Sequence, residues 1–267
     1  MNHIPSRTFQ VFCITTLLLC GGHAHRSFAQ TPTPTPAPAA GPQFLSITVV
    51  SVKPGMNAEF QDFMKNTTNP ALKKGGLTWR AVWQSTAAGG DAFEYVMVSP
   101  VGKFAEYDGA GALEKGLGPQ GFAAWQTKAS TMVTSVHRFI VRTRNDLSFE
   151  KQSAGPHKLA VVTSIHVAPN RNSEFENYIK NDYMPVMKQA QVTYLVTQTI
   201  FGGDANEYVT LTMRDSFADL DKGPVLVQAL GEEGAQKLLQ KLPAGIVVHV
   251  ERSLSRLVPE LSFMPAP

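Results

Sequence analysis

The amino-acid sequence contains the same motif twice. Residues 89–96 read Gly-Gly-Asp-Ala-Phe-Glu-Tyr-Val, and residues 202–209 read Gly-Gly-Asp-Ala-Asn-Glu-Tyr-Val. With small shifts in register, the alignment extends to proline, phenylalanine and arginine positions on both sides of the motif. A repeat of this length indicates a duplicated domain, because solenoid units span only about 20–50 residues. We therefore predict two copies of one fold, over 44–149 and 158–263, joined by a linker at 150–157.

Each copy predicts the element order β-α-β-β-α-β. In the first copy, residues 44–52 are rich in β-branched side chains, and residues 77–86 and 93–99 flank a glycine-rich turn, so these segments predict a strand and a hairpin. Residues 133–142 predict a fourth strand, and apolar residues at helical spacing fill the gaps. This order is that of the ferredoxin-like unit, whose helices cover only one face of the sheet. We therefore expect an α+β fold in which two tandem ferredoxin-like repeats form one internal pseudo-dimeric α+β barrel.

The first 29 residues have the features of a secretory signal peptide. Arg7 precedes an apolar run over residues 11–19, and small residues precede a cleavage site after Ala29. The run is shorter than the roughly 20 residues that a membrane-spanning helix needs, so we expect no membrane span. Both cysteines, Cys13 and Cys20, lie in this leader, so a mature chain would have no disulfide and no thiolate ligand.

These features predict an exported protein, periplasmic or secreted. The alternative is a lipoprotein with lipid on Cys20, although Leu19 is not the small residue that such a signal places before the cysteine. Residues 30–43 are rich in Pro, Thr and Ala and predict an extended linker. The formal net charge is only +3, and no basic run is interleaved with aromatic residues, so we expect no nucleic-acid partner.

Strand alternation brings two histidines and a glutamate to one predicted face. His166 ends the first strand of the second copy, and His249 begins the fourth strand, with Glu251 two residues further. We expect the two imidazoles to face the barrel, largely buried and about 4–8 Å apart, because neighbouring strands lie about 4.8 Å apart. In the first copy, His137 takes the place of Glu251. Such a cluster can bind a ligand, transfer protons or satisfy its own hydrogen bonds in a core; we expect no metal.

Four aromatic residues complete the candidate ligand-binding set. Tyr95 and Tyr208 occupy equivalent positions on the third strands and are predicted to face the barrel, where they could bind a ligand hydroxyl or fill the core. Trp79 and Trp83 are four residues apart on a predicted strand and would share a face, either as core or as the wall of a pocket for a flat ligand. No G-x-S-x-G or H-E-x-x-H motif is present.

The duplicated order resembles the dimeric α+β barrel superfamily, which includes the NIPSNAP family, antibiotic-biosynthesis monooxygenases and chlorite-dismutase-like haem proteins. The motif at 202–209, followed by Phe-Ala-Asp-Leu-Asp-Lys-Gly-Pro at 217–224, is similar to secreted NIPSNAP-like bacterial proteins. The haem branch implies a proximal histidine on a helix. Here His137, His166 and His249 are predicted on strands, so we expect no cofactor.

The shared motifs are turn and strand motifs, so the resemblance implies a fold rather than an activity. Because no catalytic constellation is recognisable, we expect a non-catalytic barrel that binds a small apolar or aromatic molecule, or a partner surface. The alternative is a cofactor-independent monooxygenase-like enzyme acting on a quinol- or phenol-like aromatic substrate. The resemblance and the tryptophans of the first copy suggest this alternative.

Overall fold

Eight antiparallel strands form one closed barrel in the computed structural model, which describes residues 43–153 and 155–264. The strands are β1 (Phe44–Val52), β2 (Ala81–Ser85), β3 (Glu94–Val101), β4 (Val133–Thr143), β5 (Leu159–Val167), β6 (Tyr194–Phe201), β7 (Glu207–Arg214) and β8 (Val247–Leu257). This architecture confirms the expected α+β barrel. The predicted signal peptide and nearly all of the predicted Pro-rich linker lie outside the described residues.

The barrel closes because the outer strands of the two halves pair with each other. We call residues 44–149 the first half and residues 158–263 the second half. The strand order is β4-β1-β3-β2 in the first half and β8-β5-β7-β6 in the second. Between the halves, β2 pairs with β8 and β4 pairs with β6, both antiparallel. The hydrogen-bonding groups of these edge strands are therefore satisfied by the other half.

Helices cover the outer face of the barrel. They are α1 (Asn57–Phe63), α2 (Asn69–Lys74), α3 (Ala112–Met132), α4 (Asn172–Tyr178), α5 (Met184–Gln189), α6 (Ala218–Asp221) and α7 (Val225–Gln240). A π-helical turn joins α1 to α2 and α4 to α5, just before Pro70 and Pro185. Proline lacks an N–H group, and the wide turn lets each helix continue past it. None of the described helices is both long and apolar enough to cross a membrane.

The two faces of the strands differ in packing. Along β3, Tyr95 and Met97 are buried in the core beneath the helices, whereas Glu94, Val96 and Val98 point into the barrel and are partly exposed. The strand β7 shows the same alternation. The layer between helices and sheet is therefore closely packed, while the barrel interior remains accessible to solvent.

Each half completes the hydrophobic core of the other. Leu147, which follows β4 of the first half, is buried in the core of the second half, and Leu261, which follows β8, is buried in the core of the first. We call the segments that follow β4 and β8 the tails of the two halves. Backbone hydrogen bonds of 2.7–2.8 Å hold them in place, through the pairs Phe149–Tyr194 and Phe263–Arg80. The two halves are thus interlocked by exchanged tails as well as by paired strands.

Truncation of Leu261, the buried side chain of the second tail, should destabilise the whole barrel. Leu261 is 0% exposed, so Leu261→Ala leaves a cavity and should lower the free energy of unfolding by about 2–5 kcal/mol. Leu239→Ala, at a side chain that is 54% exposed, is the matched control and should change it by less than about 0.5 kcal/mol. Urea unfolding followed by circular dichroism measures both. Equal effects of the two substitutions would show that the tail does not contribute to the core.

Candidate functional site

One mouth of the barrel is rich in polar side chains. Four antiparallel steps separate β1 from β5 around the barrel, so the two strands run in the same direction and end at the same mouth. The acidic and imidazole side chains that face the interior there are His137, His166, His249, Glu94, Glu207 and Glu251. Deeper inside, the wall consists of partly exposed apolar residues such as Val96, Val162 and Val209. The interior is therefore polar at this mouth and apolar further along the barrel axis.

His166 and His249 are neighbours at this mouth, as predicted. They are paired in the register of β5 and β8, and their ring centroids are 5.6 Å apart. The expectation of deep burial is wrong, because the side chains are 29% and 56% exposed, respectively. Val248 and Val250, on the outer face at the start of β8, are exposed as well, so this end of the strand is open to solvent on both faces. Solvent therefore reaches both imidazoles.

Two carboxylates position His166. Its Nδ1 lies 3.2 Å from Oδ2 of Asp204, and its Nε2 lies 3.8 Å from Oε1 of Glu207. The hydroxyl of Ser164 donates a hydrogen bond to Glu207 at 2.5 Å. The backbone N–H of Asn206 donates to Asp204 at 2.9 Å, and this bond and the His166 contact lower the pKa of Asp204. The ionised Asp204 favours a proton on Nδ1, which leaves Nε2 as a base.

Asp204 is the site residue that sequence reasoning missed. It belongs to the repeated Gly-Gly-Asp motif, which predicts only a turn. In the first half, Asp91 has that structural role alone and accepts the backbone N–H of Phe93 at 2.9 Å. In the second half, the same turn also brings Asp204 against His166. Ser51 occupies the strand position of His166 in the first half. This difference between the two copies was the sequence signal that the turn of the second half could have an additional contact.

The three residues of the predicted triad do not share one set of contacts. Glu251 contacts His249, with 3.0 Å between Oε1 and Nε2, and this contact lowers the pKa of Glu251. Both side chains are largely exposed, so their mutual attraction stabilises the fold little. His137 lies at the same mouth but is exposed and packs near Phe139. Within residues 43–153 and 155–264, no group of three His, Cys, Asp or Glu residues is arranged to hold a metal ion.

Tyr95 and Tyr208 face the helices, so the predicted barrel-facing orientation is wrong. Both are 0% exposed. Tyr95 donates a hydrogen bond to Asn57 at 2.6 Å and accepts one from Gln61, whereas Tyr208 donates to Glu176 at 2.6 Å. The third strands carry apolar residues on both faces. Alternation therefore fixes which residues share a face, but it does not show which face the helices cover.

The two tryptophans are also separated by the structure. Trp83 lies on β2, paired with Val96 of β3 and Leu257 of β8, and so faces the barrel interior. Trp79 precedes β2, which begins at Ala81, so the predicted strand does not extend to it. Of this pair, only Trp83 is placed by the sheet register to contact a ligand inside the barrel.

An ionic network surrounds Tyr208 beneath the helices of the second half. Arg144, from the tail of the first half, is bonded to Asp146 at 2.8 and 2.9 Å and to Glu176. These bonds lower the pKa of both carboxyl groups and raise that of the guanidinium. In the core of the first half, the equivalent positions hold Gln61 and, from the tail of the second half, Val258. The glutamate at this helix position, Glu176, is therefore present in the half where an arginine lies opposite it and is replaced by glutamine in the other half.

Solved structures share this fold, although no protein-family model and no curated protein matches the chain. A proposed monooxygenase from Lactobacillus acidophilus NCFM has a TM-score of 0.53 and 8% identity, over 81% of this chain and 94% of that chain. An anthrone oxidase-like protein has a TM-score of 0.54 and 12% identity, over 81% and 91%. A chlorite dismutase variant from Candidatus Nitrospira defluvii has a TM-score of 0.52 and 10% identity, over 82% and 92%. The likeness establishes the fold of the dimeric α+β barrels.

These comparisons correct the expectation of a non-catalytic binding barrel. The similar structures are described as monooxygenases, an anthrone oxidase-like protein and chlorite dismutases, so they favour the enzymatic alternative. Haem, which the resemblance to the chlorite-dismutase branch implies, does not fit the side chains present. In the described part of the chain, His137, His166 and His249 lie on strands and His157 lies between the halves, so no described helix offers a histidine ligand.

Acid should weaken the ionic network around Arg144. The pKa of Glu176 and of Asp146 is lower in the folded than in the unfolded chain, so their contribution to stability is complete above about pH 5 and is lost as the pH falls through the folded-state values. Glu176→Gln should lower the free energy of unfolding at pH 7 by about 1–3 kcal/mol and reduce its dependence on pH below 5. Urea unfolding between pH 7 and 3 measures both effects.

The matched control for that series is Glu174→Gln. Glu174 lies on the same helix, but its ion pair with Arg171 is at the surface, so its loss should leave the free energy of unfolding almost unchanged. If both variants kept the acid dependence of the unmodified protein, the network would not be the origin of that dependence.

Proposed function

We propose that this protein is a cofactor-independent, monooxygenase-like enzyme that acts on a phenol- or quinol-like aromatic substrate at the polar mouth of the barrel. The observation that carries this proposal is the geometry of His166. Its Nδ1 is held by Asp204 at 3.2 Å, and its imidazole is accessible where the apolar wall of the barrel begins. The solved monooxygenase-like and anthrone oxidase-like structures of the same fold support this choice of reaction class.

The barrel interior is suited to an aromatic molecule with one polar end. Val96 and Val162 offer an apolar surface for the ring, and Trp83 faces the same space. A hydroxyl group of the substrate would then lie at the mouth, among the imidazoles. This arrangement matches a phenol or quinol better than a sugar or a highly charged metabolite, whose polar groups would be left unpaired against the valines.

Proton transfer is the chemistry that the mouth can supply. Nε2 of His166 would accept the hydroxyl proton, and Asp204 would stabilise the imidazolium that forms. The resulting aryl oxide anion is electron-rich and can donate electrons to O₂. When a ring CH₂ group, or its enol tautomer, becomes a carbonyl, one oxygen atom stays on the carbon and the other leaves as water. That reaction balances with the substrate as the only electron donor.

Oxygen uptake with anthrone, which has a phenolic tautomer, tests this function. The protein should accelerate uptake above the uncatalysed rate, and His166→Gln and Asp204→Asn should each lower kcat about 100-fold or more.

The control substitution is His157→Gln, at a histidine between the halves that contacts Asp215 and Thr193. Its kcat should equal that of the unmodified protein. If His166→Gln retained full activity, His166 would not be the base. If anthrone and a panel of quinols gave no uptake above background, the proposed reaction class would be wrong.

The organisation of the chain is a second part of the proposal. We infer that residues 44–149 and 158–263 are tandem ferredoxin-like repeats of a NIPSNAP-like protein, joined by a linker at 150–157. The recurrence of the strand order and of the π-helical turn in both halves supports this inference. An alignment of related sequences in which the halves of each chain failed to match each other would contradict it.

We also propose export with cleavage after Ala29, on the basis of the leader sequence. The mass of the intact protein, purified from the organism that makes it, should correspond to a chain that begins at Gln30. A mass equal to that of the full chain, or one with lipid on Cys20, would contradict this prediction.

A further inference from the structure

A buried arginine lies between the helices and the sheet of the first half, and no carboxylate of residues 43–153 or 155–264 forms an ion pair with it. Arg80 immediately precedes β2 and is 7% exposed. Its Nη1 donates to Oδ1 of Asn69 at 3.5 Å, and its Nη2 contacts the sulfur of Met97. Neither partner is charged. Arg80 takes part in none of the ion pairs formed by the described residues.

This environment is costly for a guanidinium. A buried charge loses its hydration and normally recovers the free energy from an opposite charge and from hydrogen bonds. Burial, and after it the positive charge of Arg138, lower the pKa of Arg80 to about 10. Arg144 is buried to a similar extent, at 9% exposure, but it is bonded to Asp146 and Glu176. Among the described residues, Arg80 thus lacks an anion of the kind that Arg144 has.

Arg138 approaches the same region from the opposite edge of the sheet. It lies on β4, and the register places it beside Thr48 of β1, which in turn pairs with Met97 of β3. Its Nε donates to the hydroxyl of Thr48 at 3.2 Å, and the residue is exposed. The positive charge of this exposed guanidinium acts on the buried guanidinium of Arg80.

The fold itself does not require this charge. Arg80 pairs with Phe263 in the first half as Tyr194 pairs with Phe149 in the second, so the two residues occupy equivalent positions. Tyr194 is neutral and fills its position at 2% exposure, and burial raises its pKa. Since a tyrosine occupies the equivalent position in the second half, this position does not need a guanidinium to complete the fold.

We propose that Arg80 and Arg138 form a binding site for a carboxylate group on the outer face of the first half. The planar fork of Arg80 would bind both carboxylate oxygens, and Arg138 would cover the group from the solvent side. Asn69 and Thr48 supply neutral polar atoms next to the two guanidiniums. The site lies on the other face of the sheet from the barrel mouth and does not depend on the proposed oxygenase activity.

Titration with acetate at constant ionic strength, against chloride as the reference anion, tests this site. The reporter is intrinsic tryptophan fluorescence, because Nε1 of Trp125 donates to the hydroxyl of Thr68, the residue next to Asn69. Acetate should produce a saturable change that chloride does not. Arg138→Gln should weaken acetate binding at least about tenfold, through loss of one charge-assisted contact. Arg80→Met should abolish it.

The matched control is Arg252→Gln, at the position in the second half that corresponds to Arg138. This variant should bind acetate as the unmodified protein does. If acetate and chloride gave the same response, or if Arg138→Gln and Arg252→Gln bound acetate equally, the proposal would be wrong. Should Arg80→Met fail to fold, Arg138→Gln still decides the question, because its side chain is exposed.

Discussion

Backbone hydrogen bonding at the sheet edges is the constraint on which this structure depends. A four-stranded sheet leaves two rows of N–H and C=O groups without partners, and such edges are prone to pair with other chains. Here the edge strands of the two halves pair with each other, β2 with β8 and β4 with β6. Closure also creates an interior that neither sheet encloses alone. The polar mouth, and with it the proposed chemistry, follows from that closure.

The sequence predicts much of this arrangement because its strongest signals are local and are repeated. Strand alternation and the strand order expected for the repeat place His166 beside His249, and the structure has them 5.6 Å apart. The contact between Asp204 and His166 could not be predicted in the same way. It depends on how a turn folds back on a strand 38 residues away, and neither propensity nor periodicity reports such a tertiary contact.

Errors about exposure and orientation have a common physical origin. Alternation divides the residues of a strand between two faces, but Tyr95 and Tyr208 show that it does not indicate which face the helices cover. Their hydroxyl groups have partners on the first helix of each half, which no strand pattern reveals. Similarly, the exposure of His249 depends on its place at the open mouth of the barrel, and strand alternation does not report how open that mouth is.

The exchanged tails have a consequence for the covalent connection between the halves. Once the barrel has closed, the halves are held together by two strand pairings and by the burial of Leu147 and Leu261 in each other's cores. The peptide bonds at 150–153 then add little to that association. A chain cut there would remain a single particle, in effect a heterodimer of two unequal subunits. The linker thus matters mainly before closure, when it raises the effective concentration of one half around the other.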